Sequence, residues 1–177
     1  MLELLTVWVA ACVACSGLPQ NWWLIVHALV GTALLAASAS ALNQWLERGA
    51  DAQMQRTASR PLPAGDLSER EVFWFGTITM VTGTIYLAFL VHWLTAALGL
   101  LTWILYVCIY TPMKSRTSAN TWVGAIAGAL PVLMGASAVL SEGGTREGLL
   151  LALTLFGIVF FWPVSYTHLT LPTTPYV

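Results

Sequence analysis

The sequence predicts an all-α fold, a polytopic transmembrane helix bundle, and three observations carry that prediction. Hydrophobic residues make up 58% of the chain and charged residues only 8%, with a mean hydropathy of +0.75, which leaves too little polar surface for a soluble globular domain. The apolar residues gather into runs of about 20, the length a helix needs to cross the hydrocarbon core of a bilayer. The connections between runs concentrate the positive charge: Arg48, Arg56, Arg60 and Arg70 in one, Lys114 and Arg116 in another, with Arg146 apart. Spans of about 20 residues with short connections give about six helices in one domain. The net charge of -1 says nothing about nucleic acid, but the seven Lys and Arg form no basic tract, which sets nucleic acid aside as a partner.

Residues 4–17 are apolar but too few for a full crossing, and no cationic segment of a signal peptide precedes them. The first helix is therefore expected to have lost part of its N-terminus. After Gly17-Leu18-Pro19 the second helix covers residues 22–42, without a charged residue and with small side chains from Gly31 to Ala41 that permit close packing. Residues 43–71 read as a long polar loop, in which Pro61 and Pro63 end any helix that continues through it. The third and fourth helices, residues 72–91 and 94–110, are joined by His92-Trp93 and must be antiparallel neighbours. The fifth, residues 122–140, has Gly124, Gly128 and Gly135 around Pro131, a pattern for a kinked and closely packed helix. A polar turn at 141–147 precedes a sixth apolar run, 148–162. Trp22, Trp23, Trp45, Trp93 and Trp122 fall near the expected helix ends, where interfacial aromatics sit. Cys12, Cys15 and Cys108 lie in apolar stretches and read as small apolar residues, although Cys12-x2-Cys15 matches a redox or metal spacing.

Chemistry concentrates where the second helix ends. Asn43, Glu47 and Asp51 are spaced by four, which on a helix stacks an amide and two carboxylates along one face. Acids at the mouth of a membrane helix are costly unless a cation meets them, and carboxylate and amide oxygens suit Mg²⁺, which binds through one or two carboxylates plus substrate phosphates. Such acid spacing also occurs by chance in polar loops. Arg56 and Arg60 favour the metal-diphosphate reading, because guanidinium forks bind phosphate oxygens bidentately. A second polar stretch, residues 110–120, holds Lys114 and Arg116, placed to stabilise a departing diphosphate or serving simply as positive-inside residues. The two basic loops follow helices two and four, so they share one side of the membrane, the cytoplasmic one by the positive-inside rule.

The pattern Asn43-x3-Glu47-x3-Asp51, followed by Arg56-Thr57-x2-Arg60-Pro61-Leu62, resembles the first acidic motif of the UbiA-type intramembrane prenyltransferases. Glu at the middle position is similar to the haem-modifying branch, the protoheme IX farnesyltransferases, where the hydroxybenzoate branch places Asp. Tyr110-Thr111, Lys114-x-Arg116-Thr117, Asn120, Gly124 and Ala127-Gly128-Ala129-x-Pro131 with Gly135 resemble the same branch; Val132 departs from its double proline. The resemblance extends over residues 4–162. The composition then changes, so residues 1–163 are expected to form an incomplete prenyltransferase domain and residues 164–177 a tail of foreign sequence.

The resemblance implies an integral protein of a bacterial-type inner membrane that carries farnesyl from farnesyl diphosphate to a vinyl group of protoheme IX, making haem O. It implies Mg²⁺ on Asn43, Glu47 and Asp51, with these and Lys114 as catalytic residues and Arg56, Arg60, Tyr110, Arg116 and Asn120 as substrate contacts. It also implies a nine-helix bundle with a second acidic motif; no Asp or Glu follows Glu147, so these 177 residues are expected to be inactive alone. Two alternatives remain: a prenyltransferase for an aromatic or quinone precursor, and a transporter or other non-catalytic membrane protein. His27 within an apolar helix is a candidate haem ligand, His92 a weaker one.

Overall fold

A computed structural model describes residues 2–15, 17–55, 57–114, 117, 119–139, 150, 153–158 and 160–161. Five main helices order them: α1 (Leu2–Ala14), α2 (Trp22–Asp51), α3 (Glu69–Leu90), α4 (Trp93–Met113) and α5 (Asn120–Ala138). Residues 153–158 and 160–161 are again helical. The turn at 141–147, residues 148, 149, 151, 152, 159 and 162 of the expected sixth helix, and the tail at 164–177 lie outside the described residues.

Four helices, α2 to α5, are long and apolar enough to cross a membrane, while α1 has 13 residues. With no water in the bilayer core, a helix is the form in which each segment satisfies its own backbone. The outer face of α3 exposes Trp74, Phe75, Ile78, Ile85 and Phe89, which suits lipid tails. Inside, Ala10, Ala11 and Ala14 of α1 meet Val132 and Ala136 of α5, and Leu35, Leu87, Ala96 and Met134 join α2, α3, α4 and α5. Small residues set these approaches. A Cβ on Gly135 would collide with the Val7 carbonyl, and one on Gly31 would come within 2.5 Å of Leu87.

Several boundaries differ from the expectation. The second helix does not end at Leu42: α2 continues nine residues to Asp51, because polarity alone does not break a helix and residues 43–51 contain no proline. The loop therefore begins at residue 52. Trp45 consequently lies within α2, against Phe73 at 5.4 Å between ring centroids and beneath the Arg48 guanidinium at 5.0 Å. The third helix starts at Glu69, where Ser68 and Glu71 form a reciprocal capping box. His92 caps α4 and Trp93 is already helical. Pro112 does not close the fourth helix either; α4 runs through it to Met113. The fifth helix starts at Asn120 and ends at Ala138.

One buried hydroxyl ties three helices. Ser38 donates to the Gly76 carbonyl at 2.6 Å and accepts from the Trp103 indole at 2.9 Å. Ser38→Ala is expected to cost about 1 kcal/mol, because the half-buried Trp103 N–H loses its acceptor while the Gly76 carbonyl keeps the Thr79 hydroxyl at 3.2 Å. Thermal unfolding in detergent checks this; an unchanged midpoint would remove the role.

His27 has a local partner. Its Nδ1 lies 2.7 Å from the Tyr86 hydroxyl, pinning α2 to α3, roughly 24 Å along α2 from Asn43.

Candidate active site

The extension of α2 makes the site. Asn43, Glu47 and Asp51 follow one another at single-turn intervals on a continuous helix, as the spacing requires. The Asn43 Nδ2 donates to the Glu47 carboxylate at 3.1 Å. Asp51 is 4% exposed and receives Arg60 at 2.6 Å, so the charge taken out of water is paired. The buried Thr57 hydroxyl donates to the Asp51 carbonyl at 3.0 Å, satisfying one of the last acceptors of α2 and drawing the loop beneath it. Gly65, at φ 84°, takes the left-handed turn that leads the loop back toward α3.

The facing wall comes from α4. Between Ile104 and Tyr110 its turns widen to a π-helix, and the Thr111 N–H reaches back to the Tyr106 carbonyl. This pitch stacks Tyr106 on Tyr110 at 5.5 Å and brings the next residues onto α2. The Thr111 hydroxyl reaches the Asn43 Oδ1 at 2.9 Å, and Lys114 pairs with Glu47 at 3.3 Å. The two basic loops therefore meet at one end of the bundle.

The resulting hollow, about 630 Å³, is lined by Glu47, Asp51, Thr57, Arg60, Thr111 and Lys114. A second cavity of about 440 Å³ shares Lys114 and adds Tyr106, Tyr110, Asn120 and Gly124. Asn120 bonds the Lys114 carbonyl at 3.4 Å, and Gly124 leaves room for the Tyr110 ring, whose edge a Cβ would meet at 2.9 Å. Arg56 and Arg116 lie outside the described residues.

Two residues without an assigned role in the sequence also line these cavities. Glu3 borders the one with Lys114 and another with Asn43, Arg60 and Tyr106. An acid in an otherwise apolar helix was its signal. Tyr106 was legible only as the residue one turn before Tyr110.

Among the described residues no three His, Cys, Asp or Glu side chains converge. The candidate ligand set is two carboxylates and one amide, all hard oxygen donors on one helix face, which fits an oxygen-seeking divalent cation and gives a soft metal no sulfur or nitrogen.

Fold and site together define an integral membrane protein with a paired acid-base wall at one end of a helical bundle. The UbiA prenyltransferase family model matches residues 4–171, and the chain belongs to that family. The match runs beyond Trp162, where the motif resemblance was expected to stop. Membership implies a divalent cation that assists departure of a diphosphate. The chain is 38% identical over 169 residues to the Protoheme IX farnesyltransferase of Koribacter versatilis, covering 94% of this chain and 53% of the relative. It is 44% identical over 140 residues to the protein of that name from Rhodopirellula baltica, covering 79% and 47%. The human mitochondrial Protoheme IX farnesyltransferase is 40% identical over 144 residues, covering 81% and 31%. The chain spans about half the length of the bacterial relatives it matches. No solved structure matches it.

Proposed function

We propose that this protein transfers farnesyl from farnesyl diphosphate to a vinyl group of protoheme IX, making haem O, with Mg²⁺ held by Asn43, Glu47 and Asp51. The observation that carries the reading is the pairing of Asp51 with Arg60 and of Glu47 with Lys114 across one hollow. At rest each anion is neutralised by a cation of the chain. Metal diphosphate supplies both signs at once, so the carboxylates can turn to the metal and Arg60 and Lys114 to phosphate oxygens. The names of the relatives support farnesyl and haem as the substrates.

Bound Mg²⁺ would act as a Lewis acid on the leaving group. The carbon–oxygen bond of the allylic diphosphate breaks and its electron pair leaves with the diphosphate, where Lys114, Arg60, Arg56 and Arg116 offset the growing charge. The stacked Tyr106 and Tyr110 rings offer π-faces to the allylic cation. The haem vinyl group attacks it, water adds to the resulting cation and a proton is released. Exclusion of water from the cavity when substrate is bound would limit premature hydrolysis. Asn120 supports the loop through the Lys114 carbonyl. The positive-inside rule puts residues 43–71 and 111–120 on the cytoplasmic side of an inner membrane.

Membranes carrying a full-length protein that contains these residues, given haem and farnesyl diphosphate, are expected to form haem O only with Mg²⁺ present, whereas the 177 residues alone are expected to form none. Lys114→Met is expected to slow that formation about 10²-fold. Mass spectrometry of extracted haem reads the product. Prenylation of hydroxybenzoate in place of haem would overturn the acceptor, and an unchanged rate for the variant would overturn the role of Lys114.

A further inference from the structure

Thr111 is 5% exposed, and its one hydroxyl proton lies within reach of two oxygens, the Asn43 Oδ1 at 2.9 Å and the Tyr106 carbonyl at 2.8 Å. The Tyr106 carbonyl already takes the Thr111 N–H. Asn43 meanwhile turns its NH₂ toward Glu47 at 3.1 Å and its oxygen toward Thr111. A carboxylate only accepts, so in this arrangement the amide offers the Glu47 side a donor and holds its oxygen away from the acid. That is the wrong way round for an oxygen that shares a cation with Glu47.

Reversing the amide solves this only if its NH₂ finds an acceptor on the far side. A hydroxyl both donates and accepts. After reversal the Asn43 NH₂ donates to the Thr111 oxygen, whose proton turns to the Tyr106 carbonyl, and the amide oxygen faces Glu47. In the reversed orientation every donor has an acceptor, and the two facing oxygens of Asn43 and Glu47 are left for the cation. The π-helical pitch of α4 is what places the spare carbonyl beside this hydroxyl.

We propose that Thr111 is the pivot of an amide reversal at Asn43, a positioning residue that lets the site pass from its self-paired state to one that receives a divalent cation. The inference rests on the proposed cation site. Valine at 111 keeps the shape and loses the hydroxyl. In the reversed state it would leave the amide N–H groups without an acceptor, and in the resting state only a carbonyl under-satisfied; orphaned buried N–H groups are the rarer of the two. The resting orientation therefore gains and cation binding weakens.

The test is a calorimetric titration of the protein in lipid nanodiscs with MgCl₂ alone, without haem or diphosphate. Thr111→Val is expected to bind Mg²⁺ about tenfold more weakly than the parent, the scale set by one half-buried donor left unpaired. Thr111→Ser, which restores the hydroxyl without the methyl, is expected to bind like the parent. Parental affinity in Thr111→Val, or equal weakening in Thr111→Ser, would overturn the pivot. So would unchanged affinity in Asn43→Ala. The hydroxyl-dependent pattern here, together with a full-length protein that makes no haem O, would support the pivot while refuting the proposed substrates.

Discussion

Asp51→Asn in the full-length protein is expected to lower prenyl transfer by roughly 10²–10³-fold while leaving the bundle intact, the scale for removing one electrostatic contact at a reacting centre. Asp51 is the most buried of the three candidate ligands, and its carboxylate pairs with Arg60 at 2.6 Å. The amide keeps the shape and can still accept from Arg60, so the loop stays folded under α2. It removes the negative charge through which a cation would be held. Arg60 then lacks a carboxylate, so diphosphate binding should fall less than turnover, and the rate at saturating Mg²⁺ should stay low. Normal expression with unchanged transfer would exclude Asp51 from the chemistry. Restoration by Asp51→Glu would show that charge decides more than the length of the side chain.

The largest expected effect on the fold comes from Gly135. A side chain there meets the Val7 carbonyl and lies 2.9 Å from the Ala10 Cβ, so the obstacle is the backbone of α1. Gly135→Val is expected to separate α1 from α5 and to exceed the about 1–3 kcal/mol typical of overpacking. A substantially lower unfolding temperature in detergent, with earlier proteolytic cleavage near residues 17–21, would be the result. Gly128→Ala is the control, since nothing lies within 4 Å of a Cβ at that position; it should be neutral or stabilising by up to about 1 kcal/mol through helix propensity. Equal effects of the two substitutions would mean that the α1–α5 approach does not limit stability. Because lipid gives helices no hydrophobic reason to associate, close packing of small residues carries much of that contact.

Four of the spans and the position of the acidic face were legible in the sequence for the same reason. In a bilayer, hydropathy and backbone satisfaction act on whole segments, so a charge-free run becomes a helix whatever its neighbours are. Helix ends obey weaker rules. Polarity reads residues 43–51 and 111–113 as loop, yet both are helical. At Asp51, Thr57 and Arg60 supply the hydrogen bonds that let the helix stop where it does. That difference matters for the site, because the spacing by four acquires its meaning only if α2 continues through it.

By itself the sequence determined a membrane-spanning helical protein of the prenyltransferase family with an amide and two acids on one face of α2, since composition and fixed spacing are local properties. The tertiary structure alone decided what meets that face. Thr111 and Lys114 come from residues more than sixty positions away, and Tyr106 and Glu3 enter the same cavities from α4 and α1. Such pairings depend on the pitch of α4 and on how closely small residues let the helices approach, and neither is written in the period of any one segment.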